Sequence, residues 1–270
     1  MGILNMNKPF LTEKIKNVIK IIAPEKPKIF FIHIPKTGGI SVDSAIARFY
    51  KRSSYNVDPA FSKTASKILC NLDSASSRGY NMFVFRQYLA LHEMVKGTKY
   101  ISGHVRFNLD IWNAYQSQYA YITILRNPVK RYISQYFYDA FKKDEHARVS
   151  EDLPDYLRSN KGKERGHSYI NYLSNASPQE NCSVQEKLKL AKDNLDRFQL
   201  VGFLEHIDIF IERFKNQFGL SLRIPHKNKN PIARPQVDDK IIQQIKEVCE
   251  PDIELYEYAK KKYLSEILPL

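Results

Sequence analysis

Residues 28–41 read KIFFIHIPKTGGIS, and no other stretch restricts the possible folds so strongly. Ile29, Phe30, Phe31, Ile32 and Ile34 form an apolar, β-branched and aromatic run, the pattern of a buried strand. Pro35 ends the run; Lys36, Thr37, Gly38, Gly39 and Ile40 follow, and the pattern predicts a helix opening at Ser41. Strand, basic turn, glycines and helix, in that order, make an anion site. Glycines let the backbone approach a ligand, the first N–H groups of a helix lack partners, and the helix dipole favours negative charge. Lys36 adds a full positive charge.

The order differs from the nucleotide-binding P-loop, whose lysine follows its glycines. Pro-Lys-Thr-Gly-Gly-x-Ser resembles the 5′-phosphosulfate loop of sulfotransferases that use 3′-phosphoadenosine 5′-phosphosulfate (PAPS). It is most similar to the carbohydrate enzymes of the heparan sulfate 2-O and 6-O type and their bacterial relatives. A generic phosphate-binding turn is the plainer alternative.

A second segment joins it. Tyr121–Leu125 is another apolar run, followed by Arg126, Asn127 and Pro128. Pro128 suits the first position of a helix, where its missing N–H costs nothing. Val129, Ile133, Phe137 and Phe141 then recur with helical spacing and predict the buried face. Arg126 at a strand end and Ser134 two turns into the helix can grip one phosphate through a forked guanidinium and a hydroxyl. LRNPVKRYISQYFY resembles the 3′-phosphate motif of the same sulfotransferases, including the spacing from Arg126 to Ser134. Arg131 fits that pattern as a structural residue.

The resemblance implies the remaining roles. Lys36, Thr37, Gly38, Gly39, Ile40 and Ser41 would hold the 5′-phosphosulfate, and Lys36 would also stabilise the leaving phosphate. His104, in the segment Ile101–Phe107, matches the position of the catalytic base. An imidazole suits that task because its pKa lies near neutrality. Lys227, Asn228 and Lys229, in a basic loop between prolines, are candidates for the 3′-phosphate or for a solvated turn. Arg106 could meet an acidic group of the acceptor or form a structural ion pair. Lys161, Lys163 and Arg165 lie in a basic stretch that would face an acidic sugar or form a solvated loop. No metal is expected, because Lys36 and a helix N-terminus would do the work that Mg²⁺ does in kinases.

The whole chain bounds these readings. Its 270 residues suit one α/β domain, and alternating strands and helices predict a P-loop-like three-layer sandwich with a central parallel sheet. Residues 1–26 read as an amphipathic helical extension and 27–270 as the domain. Formal charge +13 favours an anionic partner, either an anionic glycan or a glycolipid acceptor. No nucleic-acid motif appears. Three scattered cysteines suggest neither a zinc site nor a disulfide framework. With no apolar run of membrane-spanning length and no leader, a cytoplasmic protein is expected, with possible peripheral contact with the inner membrane face through the amphipathic helix at 10–22, whose apolar face is Leu11, Ile15, Val18, Ile19 and Ile22. The rival readings are an ATP-dependent kinase on a related fold, and a glycan- or nucleotide-binding module without catalysis.

Overall fold

The computed structural model describes residues 25–69, 75–142, 148–176, 181–224 and 235–264. Five strands form one sheet: β1 (Lys28–Ile32), β2 (Ser54–Val57), β3 (Tyr100–Gly103), β4 (Tyr119–Leu125) and β5 (Leu200–Phe203). Their order is β2-β3-β1-β4-β5, and every pairing is parallel. Parallel neighbours need long crossovers, so helices cover both faces and the strands must be apolar on both sides. β1 shows this directly. Ile29 and Phe31 join one core with Val42, Ile46, Ile122, Phe210 and Phe214, whereas Phe30 and Ile32 join another with Met94, Tyr121, Ala191 and Leu255.

The first of these cores lies under α1 (Gly39–Ala47). The next helices are α2 (Pro59–Leu69), α3 (Ala75–Val95), α4 (Leu109–Tyr115) and α5 (Pro128–Phe141). Three short helices follow, α6 (Leu153–Arg158), α7 (Asn160–Gly166) and α8 (Ser168–Leu173), and then α9 (Val184–Leu195). After β5 come α10 (Ile207–Phe218), α11 (Asp239–Val248) and α12 (Glu250–Leu264). A third core, containing Tyr132, Tyr136, Tyr156, Leu157, Ile245 and Cys249, joins α5, α6 and α11. The architecture is the expected three-layer α/β sandwich. No helix among the described residues is long and apolar enough to cross a membrane. The expected amphipathic helix at 10–22 lies outside the described residues.

Three local expectations change. α1 opens at Gly39 rather than Ser41, because the backbone reversal is completed at Gly38, whose φ is 80°. Gly39 is already helical. The stripe expected on α5 is not the buried face either. Arg131, Tyr132, Gln135, Tyr136 and Asp139 are buried with Phe137, while Phe141 is 48% exposed. The face mixes polar with apolar residues and so carries little hydrophobic signal; Gln135 Nε2 donates to Asp139 Oδ2 at 2.8 Å. The basic stretch around Lys161 is helical, not a solvated loop. Asp152 caps α6 by accepting from Asp155 N at 2.8 Å, and Ser159 caps α7 by accepting from Gly162 N at 3.0 Å.

Phe31 has no exposed surface and fills the space between β1 and α1. Phe31→Ala should destabilise the protein by about 3–5 kcal/mol, read as a lower urea midpoint.

Candidate active site

The register aligns the carboxyl ends of the three central strands, with Ile32 opposite Gly103 on one side and Thr123 on the other. Connections leave β1 toward β2 and β3 on one flank and reach β4 on the other. A crevice therefore opens where the order reverses, the usual ligand site of such sheets. The turn after β1, the residue after β3 and the residues after β4 meet there.

The β1 turn is tightly built. His33 N donates to Gly103 O at 3.0 Å, and the buried Thr37 hydroxyl donates to Ile34 O at 2.9 Å. The Thr37 hydrogen is thus used inside the turn. Lys36 adopts φ 69°, a left-handed conformation that costs a long side chain energy. A Cβ on Gly39 would lie 2.2 Å from the His33 ring, so that imidazole occupies the space a side chain would need. No side chain caps the N-terminus of α1. Ile40 is exposed at the start of this helix, and Ser41 N donates to Gly38 O at 3.3 Å.

His104 sits directly beyond β3. Its Nδ1 lies 2.6 Å from the carbonyl oxygen of His33. A carbonyl only accepts, so Nδ1 carries the hydrogen and the Nε2 lone pair is available in the neutral ring. Burial, with Arg86 nearby, holds the His104 pKa below its ordinary value, although the bond to His33 pulls the other way. Burial and His104 lower His33 further, to about 3, so His33 is a neutral packing ring stacked on Phe31 at 5.6 Å. Arg86 fixes His104 from behind. Its Nη1 donates to His104 O at 3.2 Å, its Nε to Ser62 Oγ at 2.9 Å, and its Nη2 to Pro59 O at 3.4 Å.

Arg126 lies beyond β4, and its Nη1 donates to Lys36 O at 3.2 Å, which joins the two phosphate-type motifs. The Lys36 ammonium lies 3.8 Å from the centroid of the Tyr138 ring, one helical turn past Ser134. Ser134 is buried on α5. A buried latch holds Arg126 in place. The Tyr169 hydroxyl accepts from Arg126 N at 2.8 Å and donates to Arg126 O at 2.5 Å. Asp252, on α12, in turn accepts from Tyr169 N at 2.8 Å and Ile170 N at 3.1 Å. Burial raises the Asp252 carboxyl to about 7, against the pull of Arg131 and the backbone donors. Arg131 is itself buried, beside Tyr169 and bonded to Arg165 O, which fits the structural role expected of it.

Other expected residues make contacts of their own. The Arg106 guanidinium packs on Phe83 at 4.1 Å. Lys161 Nζ donates to Arg148 O at 3.4 Å, Lys163 is exposed on α7, and Arg165 approaches Asp139 at 3.8 Å. Lys227, Asn228 and Lys229 lie outside the described residues. Sequence reasoning missed Arg86, Tyr138, Tyr169 and Asp252, along with Asp43 and Asn56, which line a cleft beside His104. Arg86, Tyr169, Asp252 and Asn56 are brought in by tertiary packing from distant parts of the chain, whereas Tyr138 ends the segment LRNPVKRYISQYFY and Asp43 follows Ser41 by two residues on α1.

Residues 20–259 match the model of a family described as the sulfotransferase family. A sulfotransferase from Alicyclobacillus acidocaldarius is similar at 13% identity over 86% of this chain and 95% of that one, with a TM-score of 0.45. Mouse sulfotransferase SULT7A1, complexed with PAP, is similar at 13% identity over 87% of this chain and 69% of that one, with a TM-score of 0.40. No curated protein matches the chain. The family assignment rests on the sequence match across residues 20–259.

Asp252→Ala would leave two buried N–H groups of α8 without an acceptor. It should lower stability by about 1–3 kcal/mol in urea unfolding. Tyr169→Phe, which keeps the ring, should cost less, about 0.5–1.5 kcal/mol.

Proposed function

The chain belongs to the sulfotransferase family, and on that premise we propose that it moves a sulfuryl group from PAPS to a hydroxyl of a carbohydrate. The observation that carries this reading is the junction of the two motifs. The Lys36 turn and Arg126 are far apart in sequence, yet the guanidinium is bonded to the turn's backbone. An uncapped helix N-terminus, a lysine and an arginine at one crevice suit a doubly phosphorylated ligand.

When bound, PAPS supplies the sulfuryl group, which passes to the acceptor oxygen as its bond to the 5′-phosphate oxygen breaks. The protein's own residues do the rest. The backbone of Thr37–Ser41 and the start of α1 hold the 5′-phosphosulfate, with the Ser41 hydroxyl beside it. Arg126 and Ser134 hold the 3′-phosphate, with Lys227, Asn228 and Lys229 as further candidates. His104 accepts the hydroxyl proton at Nε2, the nitrogen left basic by the bond from Nδ1 to His33. Lys36 balances the charge developing on the departing phosphate. Arg106, Lys161, Lys163 and Arg165 are reserved for anionic parts of a longer acceptor, which formal charge +13 favours.

Isothermal calorimetry with 3′-phosphoadenosine 5′-phosphate (PAP) tests the donor site. Binding should require the 3′-phosphate and weaken at least about tenfold in Arg126→Ala, the scale of one charge-assisted contact. Preference for ATP with Mg²⁺ would overturn the reading. His104→Ala should lower kcat by about 100-fold or more with PAP binding retained. The pH profile gives an independent check. Because burial lowers the His104 pKa, the acid limb of kcat/KM should lie below the pH at which an ordinary imidazole titrates.

A further inference from the structure

Beside His104, on the β2–β3 flank and away from Arg126, a cleft of about 290 Å³ is lined by His33, Ile40, Asp43, Asn56, Val57, Pro59, Gly103 and His104. Among the described residues that line it, the one formal charge is the carboxylate of Asp43, and none is lysine or arginine. Its size is near the lower end of the ~300–1,000 Å³ of small-molecule sites, which suits one sugar ring rather than a long segment.

The hydrogen-bond inventory of this wall is one-sided. Asp43 Oδ1 accepts from the Tyr100 hydroxyl at 2.6 Å, and Oδ2 accepts from Asn56 Nδ2 at 3.3 Å. A carboxylate offers about four acceptor positions, so capacity remains. Asn56 Nδ2 also donates to Ser102 Oγ at 2.9 Å. Both amide hydrogens of Asn56 are therefore engaged, and the group it can offer a ligand is its carbonyl oxygen. His104 Nδ1 is turned to the His33 carbonyl, so Nε2 is likewise an acceptor. Opposite these polar groups stand the apolar surfaces of Ile40, Val57 and Pro59. Such a wall accepts hydrogen bonds, packs on C–H groups and repels an anion.

Resting on the sulfotransferase reading, we propose that this cleft holds the sugar unit that is sulfated, that the unit is uncharged or bears an amino group, and that Asp43 and Asn56 accept its hydroxyl or ammonium hydrogens. A carboxylate- or sulfate-bearing unit is an acceptor itself and meets Asp43 as a like charge. Anionic groups of a longer acceptor stay outside the cleft.

Transfer from labelled PAPS to three p-nitrophenyl acceptors tests this: the β-glucoside, its 2-amino-2-deoxy analogue and the β-glucuronide. The first two should exceed the glucuronide by at least about tenfold in kcat/KM, because like-charge juxtaposition costs several kcal/mol. Asp43→Asn should reduce that ratio about tenfold. A loss acting only through His104 or folding would lower all three acceptors together and leave the ratio unchanged. Asn56→Asp, which adds a second carboxylate, should favour the amino sugar by a further factor of about ten and serves if the first variant fails to fold. Labelling of the glucuronide alone, labelling of none of the three, or ratios unmoved in both variants overturns the proposal. Calorimetric binding of PAP reports separately on the sulfotransferase reading, which survives any of those results if PAP still binds.

Discussion

The site depends on β1 being paired in parallel on both flanks. Ile32 is in register with Gly103 and with Thr123, so three strand ends are level at one edge of the sheet. No neighbouring residues in the sequence could place His104, Lys36 and Arg126 together. Register does it, and the apolar character of both faces of β1 holds that register. A slip by one residue would turn Phe30 and Phe31 to the wrong sides, each into a core shaped for the other.

Above this frame, buried polar groups set the fine geometry. Arg86 holds the His104 backbone, and Tyr169 holds that of Arg126. In both cases a side chain grips the main chain of a functional residue and leaves the functional side chain to act. Buried donors and acceptors left unmatched are costly, so these contacts tolerate few alternative arrangements. Lys36 shows the same economy of placement. Its left-handed backbone and its position over Tyr138 define where its charge lies.

Much of the frame was legible in the sequence because it rests on local patterns. The strands at 28–32 and 119–125 and the helix at 128–141 follow from apolar runs, Pro128 and spacing. The loop motif was legible as the turn that joins a strand to a helix. What escaped was non-local. The buried face of α5 was misread because Arg131, Gln135 and Asp139 lie inside, Arg131 bonded to the Arg165 carbonyl and Gln135 to Asp139 on the same helix. Asp43 and Asn56 bear on one cleft only because β2 lies beside β3, and that pairing has no hydrophobic signature in a strand as exposed as Ser54–Val57. Asp252 carries no local signal of its role; its carboxylate caps a helix more than 80 residues earlier in the chain.

That last connection has a consequence in time. Translation delivers the Lys36 turn, His104 and Arg126 early, but the carboxylate that secures Tyr169, and through it Arg126, belongs to α12. The crevice is therefore completed only once nearly the whole described chain has left the ribosome. A nascent chain bearing Lys36, His104 and Arg126 would still hold its arginine loosely, so the order of synthesis itself delays the final placement of Arg126 until the fold around it can close.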